Sequence, residues 1–191
     1  MPDTTAKHSS GKLLLGCSAV LPISARISAP RARFIGSGEL HHATARWKTS
    51  RLKGLTESGV QPHEIAIFVR SSEQMGRATD AVDDAHLKHR VVDEQIEIAP
   101  GKVSVSTMHL AKGLEFRAVS VMASDDEVIP LQKRIETVTD DSDLEDVYNT
   151  ECQLLYVACT RGRDYLLVTS TEPASEFLED LSVTANRNII R

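Results

Sequence analysis

The sequence predicts an α/β fold built on a largely parallel sheet. Short apolar runs such as Ile65-Ala-Ile-Phe-Val69 lack the alternation of a one-sided sheet, as strands covered on both faces do. Stretches with helical spacing lie between these runs, and strand alternating with helix is the mark of parallel pairing. With 191 residues, 41% of them apolar, the chain is long enough for one domain with a buried core and has room for a tail.

Residues 1–38 show no sustained period, contain Pro2, Pro22 and Pro30, and close on Gly36-Ser-Gly38, the composition of a basic, partly disordered leader or linker. From Glu39 the spacing of Leu40, Ala43, Trp47 and Leu55 predicts a helix ending near Gly59, with Pro62 beyond as a stop. After the strand at 65–69, Ser71 caps a helix running to about Leu87 with Met75, Ala78 and Val82 on one side. Val91-Val92 is a short strand, followed by strands at Val103–Ser106 and Ala118–Ala123 with a loop or helical turn between them. Leu144, Val147, Tyr148, Leu155 and Ala158 mark a helical face over Leu144–Arg161, and Tyr165–Thr169 is the last strand. A terminal helix has Pro173 near its first turn and Phe177, Leu178 and Leu181 facing inward. The domain spans residues 39–191.

No apolar run reaches the length of a membrane span, so the expected location is the cytoplasm, with no membrane partner. Cys17, Cys152 and Cys159 are odd in number and lack the paired spacing of a zinc site, which argues against a disulfide framework or structural metal and for plain thiols. The net charge is −5, yet residues 1–60 carry nine Lys or Arg against three acids. Arg26, Arg31 and Arg33 fit a solvated tail better than a nucleic-acid patch, because charge patterns of this kind are nonspecific.

Candidate chemistry gathers after the strand that starts at Val103. Ligands of such sheets sit beyond the carboxyl ends of the strands. Thr107 and His109 offer a hydroxyl and an imidazole to a phosphate or sugar, Lys112 a point charge, and Glu115 an acceptor for ribose hydroxyls or a bridging cation. Gly113 lets the main chain approach a ligand closely. Each residue by itself is more simply a turn glycine or a solvated charge; the whole string is what carries a functional reading.

Thr107-Met-His-Leu-Ala-Lys-Gly-Leu-Glu-Phe116 resembles motif V of the UvrD/Rep-like superfamily I DNA helicases. Tyr156-Val-Ala-Cys-Thr-Arg161 resembles their motif VI, and Ile65-Ala-Ile-Phe-Val-Arg-Ser71 is similar to motif IV. The motifs stand in the family's order, and the match covers about residues 39–181. The resemblance implies a RecA-like second motor domain, of the P-loop NTPase type, with ATP and Mg2+ bound between it and a first motor domain and single-stranded DNA held across both. It also implies that Arg161 is an arginine finger and Arg70 a second arginine reaching the γ-phosphate. Glu115 and Gly113 would then serve the nucleotide, and Thr107, His109 and Lys112 the DNA. A guanidinium is charged at any working pH and presents a planar fork to phosphate oxygens, and such a finger is worth about a thousandfold or more in rate. The plainer alternative has Arg161 and Arg163 complementing the carbonyl end of their helix and Arg70 pairing with a carboxylate.

The chain departs from the family in several places. Val69 stands where an aromatic residue often stacks on adenine, Glu151-Cys-Gln153 where cationic residues are usual, and Gly162 where alanine is preferred, at about 1 kcal/mol if helical. About 30 residues separate Arg70 from Val103, which leaves no room for the large insertion of well-studied relatives. No Gly-x-x-x-x-Gly-Lys-Ser/Thr signature is present: Ser10-Gly-Lys-Leu13 ends in leucine, has Ala6 at the first glycine position and follows no strand. Ser124-Asp-Asp-Glu127 lies after motif V, so it is no Walker B motif. With Asp140, Asp141, Asp143, Glu145 and Asp146 it reads as a solvated acidic loop. The expected function is the second motor half of a helicase, inactive by itself and completed by a first motor domain bearing Walker A and B, in a parent chain or a partner. The alternatives are a non-catalytic nucleic-acid or protein binding module of the same fold and, lower in order, a metal-dependent phosphotransfer enzyme built on the acidic loop.

Overall fold

The computed structural model describes residues 52–93, 99–171 and 173–178. The leader at 1–38, with Arg26, Arg31, Arg33 and Cys17, lies outside them, as do Leu40, Ala43, Trp47 and Leu181.

Residues 52–57 form the described part of the first helix, α1. It stops where the sequence predicts: Gly59 takes φ +82, its N–H donates to the Thr56 carbonyl at 3.0 Å, and the Val60 N–H donates to that of Leu55 at 3.1 Å. That pair of bonds is a Schellman closure, which needs a left-handed residue best supplied by glycine. A 3-10 turn, Pro62–Glu64, leads into β1, Ile65–Val69, which is buried along its whole length.

A second 3-10 turn, Ser72–Gln74, opens into α2, Met75–Asp84. Ser71 does not cap this helix with its side chain as expected; its carbonyl accepts from the Gln74 N–H instead. Nor does the helix reach Leu87. His86 adopts φ +58, and the Leu87 N–H closes onto the Val82 carbonyl at 3.1 Å, so the chain leaves the helix with Leu87 folded onto the core.

The remaining strands are β2 (His89–Val91), β3 (Val103–Thr107), β4 (Phe116–Val121) and β5 (Gly162–Val168). Their order is β2-β3-β1-β4-β5 and every pairing is parallel. This five-stranded parallel sheet with flanking helices has the RecA-like α/β architecture expected. The residues of β1 alternate between two apolar clusters, with Ile65, Ile67 and Val69 packing on the α2 side and Ala66 and Phe68 on the other.

That second side is covered by α4, Asp141–Cys159, through Cys152, Leu155, Ala158 and Cys159. The helix starts three residues before the expected Leu144 and ends at Cys159 rather than Arg161. The acids read as a loop are its first turns: Asp140 is the N-cap and accepts from the Asp143 N–H at 2.8 Å. A short α3, Gln132–Ile135, precedes it. In place of the predicted terminal helix, the described residues show a bridge between Asp125 and Ala174 and one 3-10 turn, Glu176–Leu178. No described helix is long and apolar enough to cross a membrane.

Candidate nucleotide and nucleic-acid edges

Arg70 continues β1 just past its carboxyl end, on the side that Ala66 and Phe68 face. It is buried, and its fork closes on Glu151 of α4, with Nε to Oε2 at 2.5 Å and Nη2 to Oε1 at 2.6 Å. Glu151 has no exposed surface, and its Oε1 also accepts from Arg134 Nη1 at 2.9 Å. Burial pushes the Glu151 carboxyl up, but the hydrogen bonds and charges of Arg70 and then Arg134 outweigh it and hold the group below the ordinary glutamate value. Arg70 was expected at a γ-phosphate; the structure instead engages its guanidinium inside the domain, because a carboxylate buried at this position must be paired. Glu151 is the residue sequence reading missed, though its signal is visible. It lies four residues after Val147 and four before Leu155, on the buried face of an amphipathic helix, where a carboxylate demands a cation.

Thr107 ends β3 beside Val69. The chain then turns through a 3-10 helix, Met108–Ala111, with Met108 and Ala111 buried and His109 exposed. Although the residue is largely exposed, partial desolvation of its ring first, then the charges of Arg70 and Arg134 against that of Glu151, lower the proton affinity of the His109 imidazole. Lys112, Gly113 and Glu115 are all exposed. Gly113 has φ +81 with open space where a Cβ would stand, so its backbone conformation is what favours glycine there.

By Phe116 the segment has reached the amino end of β4, since parallel strands require the connection to travel back along the sheet. There it meets the end of α4. The Phe116 N–H donates to the Arg161 carbonyl at 2.9 Å, and Arg161 Nη1 donates to the Leu114 carbonyl at 3.4 Å. Arg161 Nε donates to the Val157 carbonyl at 3.1 Å and Nη2 to Thr160 Oγ1 at 3.2 Å. Arg163 is exposed and pairs with Asp164 at 3.3 Å.

The candidate residues therefore form two groups, not one. Arg70, Thr107 and His109 lie at the carboxyl end of β1 and β3; Gly113, Glu115 and Arg161 lie at the amino end of β4 and β5, with Lys112 on the path between. At about 3.3 Å per residue, a five-residue strand separates the two ends by roughly 15 Å. The expectation that every motif falls beyond the carboxyl ends is corrected: motif V starts there and finishes at the opposite end. The acidic residues are also redistributed. Asp125 pairs with Arg77 and accepts from the Thr171 N–H at 2.6 Å, the 140–146 acids belong to α4, and among the described residues no three His, Cys, Asp or Glu side chains converge as a metal would need. Cys152 and Cys159 are buried, and burial pushes the Cys159 thiol up to about 12.

Residues 93–173 match the family model of the UvrD-like helicase C-terminal domain. The ATP-dependent DNA helicase UvrD1 of Mycobacterium tuberculosis is 29% identical over 163 residues, covering 75% of this chain and 20% of that protein. The putative ATP-dependent DNA helicase YjcD of Bacillus subtilis is 36% identical over 87 residues, 44% of this chain and 11% of that protein. The chain thus spans about a fifth or less of the curated relatives it matches. Among solved structures, the C-terminal domain of a possible DNA helicase from Lactobacillus plantarum WCFS1 superposes with a TM-score of 0.56 at 22% identity, over 82% of this chain and 83% of that one, a likeness of fold. Motif order, parallel frame and these matches agree: over residues 93–173 the chain is similar to the UvrD-like helicase C-terminal domain.

Proposed function

We propose that this chain serves as the second motor domain of an ATP-dependent DNA helicase, with a nucleotide at the amino edge of β4 and β5 and single-stranded DNA at the carboxyl end of β1 and β3. The observation that carries this reading is the path of residues 107–115, which joins the two ends of the sheet as one continuous segment packed against α4. A segment so placed passes displacement at one ligand directly to the other.

At the amino edge, Arg161 would meet γ-phosphate oxygens, Glu115 the ribose hydroxyls and Gly113 the nucleotide through its open backbone. These groups fit the outer half of an ATP site. They include no P-loop lysine and no pair of carboxylates for magnesium, so a separate first motor domain holds the Mg2+. When bound, ATP supplies the phosphoryl group whose transfer to water drives movement. Thr107 and His109 at the other end, with Lys112 on the path leading from it, hold the DNA backbone, and Arg70 acts as a brace between β1 and α4 rather than as a second finger. One observation favours the alternative of a non-catalytic binding module: all three guanidinium nitrogens of Arg161 are engaged within the chain.

ATP hydrolysis assayed with and without a separately expressed first motor domain of a UvrD-like relative tests the two. The motor reading expects background turnover from the chain by itself and DNA-stimulated turnover from the pair. Magnesium-dependent hydrolysis by the isolated chain that survives Arg161→Ala would overturn it, and a pair that binds DNA without turnover would leave the binding module.

A further inference from the structure

The carboxyl end of the sheet carries a cation with no role so far. Arg134 of α3 is 39% exposed in its side chain, and its Nη1 is tied to the fully buried Oε1 of Glu151. That carboxylate is already matched by the bidentate guanidinium of buried Arg70, so the trio keeps one uncompensated positive charge, and Arg134 is the member that carries it to solvent. Its neighbour Lys133 is spent on Glu73 at 2.6 Å. Through Glu151, Arg134 is joined to Arg70, which directly follows Val69, the strand partner of Thr107, and so it stands at the same end of the sheet as Thr107.

Pinning a long, half-exposed arginine to a carboxylate that already has a partner adds little stability. It does order the guanidinium before a ligand arrives, which removes that ordering cost from binding. An arginine held through one Nη also keeps the rest of its fork for phosphate oxygens, as a lysine could not.

We propose that Arg134 is a further contact to the phosphate backbone of single-stranded DNA, aimed by Glu151 as its positioning residue and standing at the same end of the sheet as Thr107 and His109. This rests on the DNA reading given above for that end of the sheet.

The test is fluorescence anisotropy of labelled oligothymidylate with the full chain, from about 20 to about 200 mM salt, since each phosphate contact contributes about 0.7 to the slope of log affinity against log salt for a single strand. Arg134→Gln keeps a donor for Glu151 and removes the charge. It should weaken binding about threefold to tenfold, alike on oligothymidylate and oligoadenylate, and lower the slope by about 0.7. Arg134→Lys should keep the parent slope and Arg163→Gln should change neither quantity, with thermal melting confirming that each variant is folded. Parent-like affinity and slope in Arg134→Gln, with His109→Ala weakened, overturns Arg134 and leaves the DNA reading standing. So does displacement of the oligonucleotide by ATP from the parent but not from Arg134→Gln, which would assign the phosphate to a nucleotide. A parent chain that binds no oligonucleotide even at the lowest salt overturns both.

Discussion

Glycine at position 162 is required by a backbone atom. A Cβ there would stand 2.6 Å from the Tyr165 carbonyl oxygen and 3.2 Å from the Val119 side chain, at the register shift where β5 joins β4. Neither neighbour is the free end of a flexible chain, so Gly162→Ala should cost about 1 to 3 kcal/mol, read as a lowered urea midpoint at constant slope. The helix-propensity argument for this residue fails because it lies in β5, past the end of α4. Glu151 is the other residue on which the site depends. Glu151→Gln leaves Arg70 buried with an unmatched charge and should cost about 3 to 5 kcal/mol in denaturant titration, whereas an apolar double replacement of Arg70 and Glu151 should recover much of the loss. The pH dependence has a definite sign. Because the folded pKa of Glu151 lies below its ordinary value of 4.5, the pair's stabilisation is complete above that value and is lost as pH falls through the folded pKa. Stability measured from pH 6 downward should therefore fall more steeply in the parent than in Glu151→Gln; equal slopes would show that the carboxylate is not held by the pair.

At the scale of elements, α4 shows how a helix start can hide. Its first residues are acids, which in a sequence resemble a solvated loop, yet acids near an amino-terminal turn complement the helix dipole and Asp140 caps it. Asp140→Ala should cost about 1 kcal/mol and Asp140→Asn less, compared by thermal unfolding; equal losses would mean that the 2.8 Å bond to the Asp143 N–H contributes nothing. The strands were legible for the opposite reason. Uninterrupted apolar runs have few alternatives to a doubly covered strand, and β1 runs from Ile65 to Val69 as the pattern indicates. Helix ends were less legible, since α2 closes on the left-handed His86, a conformation that a non-glycine residue does not advertise.

The division of the site into two ends is a property of the whole molecule, and motif spacing could not reveal it. Position after a strand locates Thr107, but only the parallel pairing of β3, β1 and β4 carries the same motif back to the amino end, where Leu114 and Phe116, on either side of Glu115, bond to Arg161. That placement sets the last prediction, which is about Arg161. Its Nε caps α4 through the Val157 carbonyl and its Nη1 reaches the motif V loop at 3.4 Å, a weak bond that a phosphate could displace. A lysine keeps the charge at the helix end but has no planar fork to share between the helix and a phosphate. In a complete motor reconstituted with a first domain, Arg161→Lys should therefore lower turnover by orders of magnitude at saturating ATP and DNA, with DNA affinity nearly unchanged and a stability loss below about 1 kcal/mol. Arg163→Lys, on the exposed side of β5, should match the parent in all three measurements. Equal turnover for both lysine variants and the parent would confine Arg161 to capping α4 and remove the finger from this edge of the sheet.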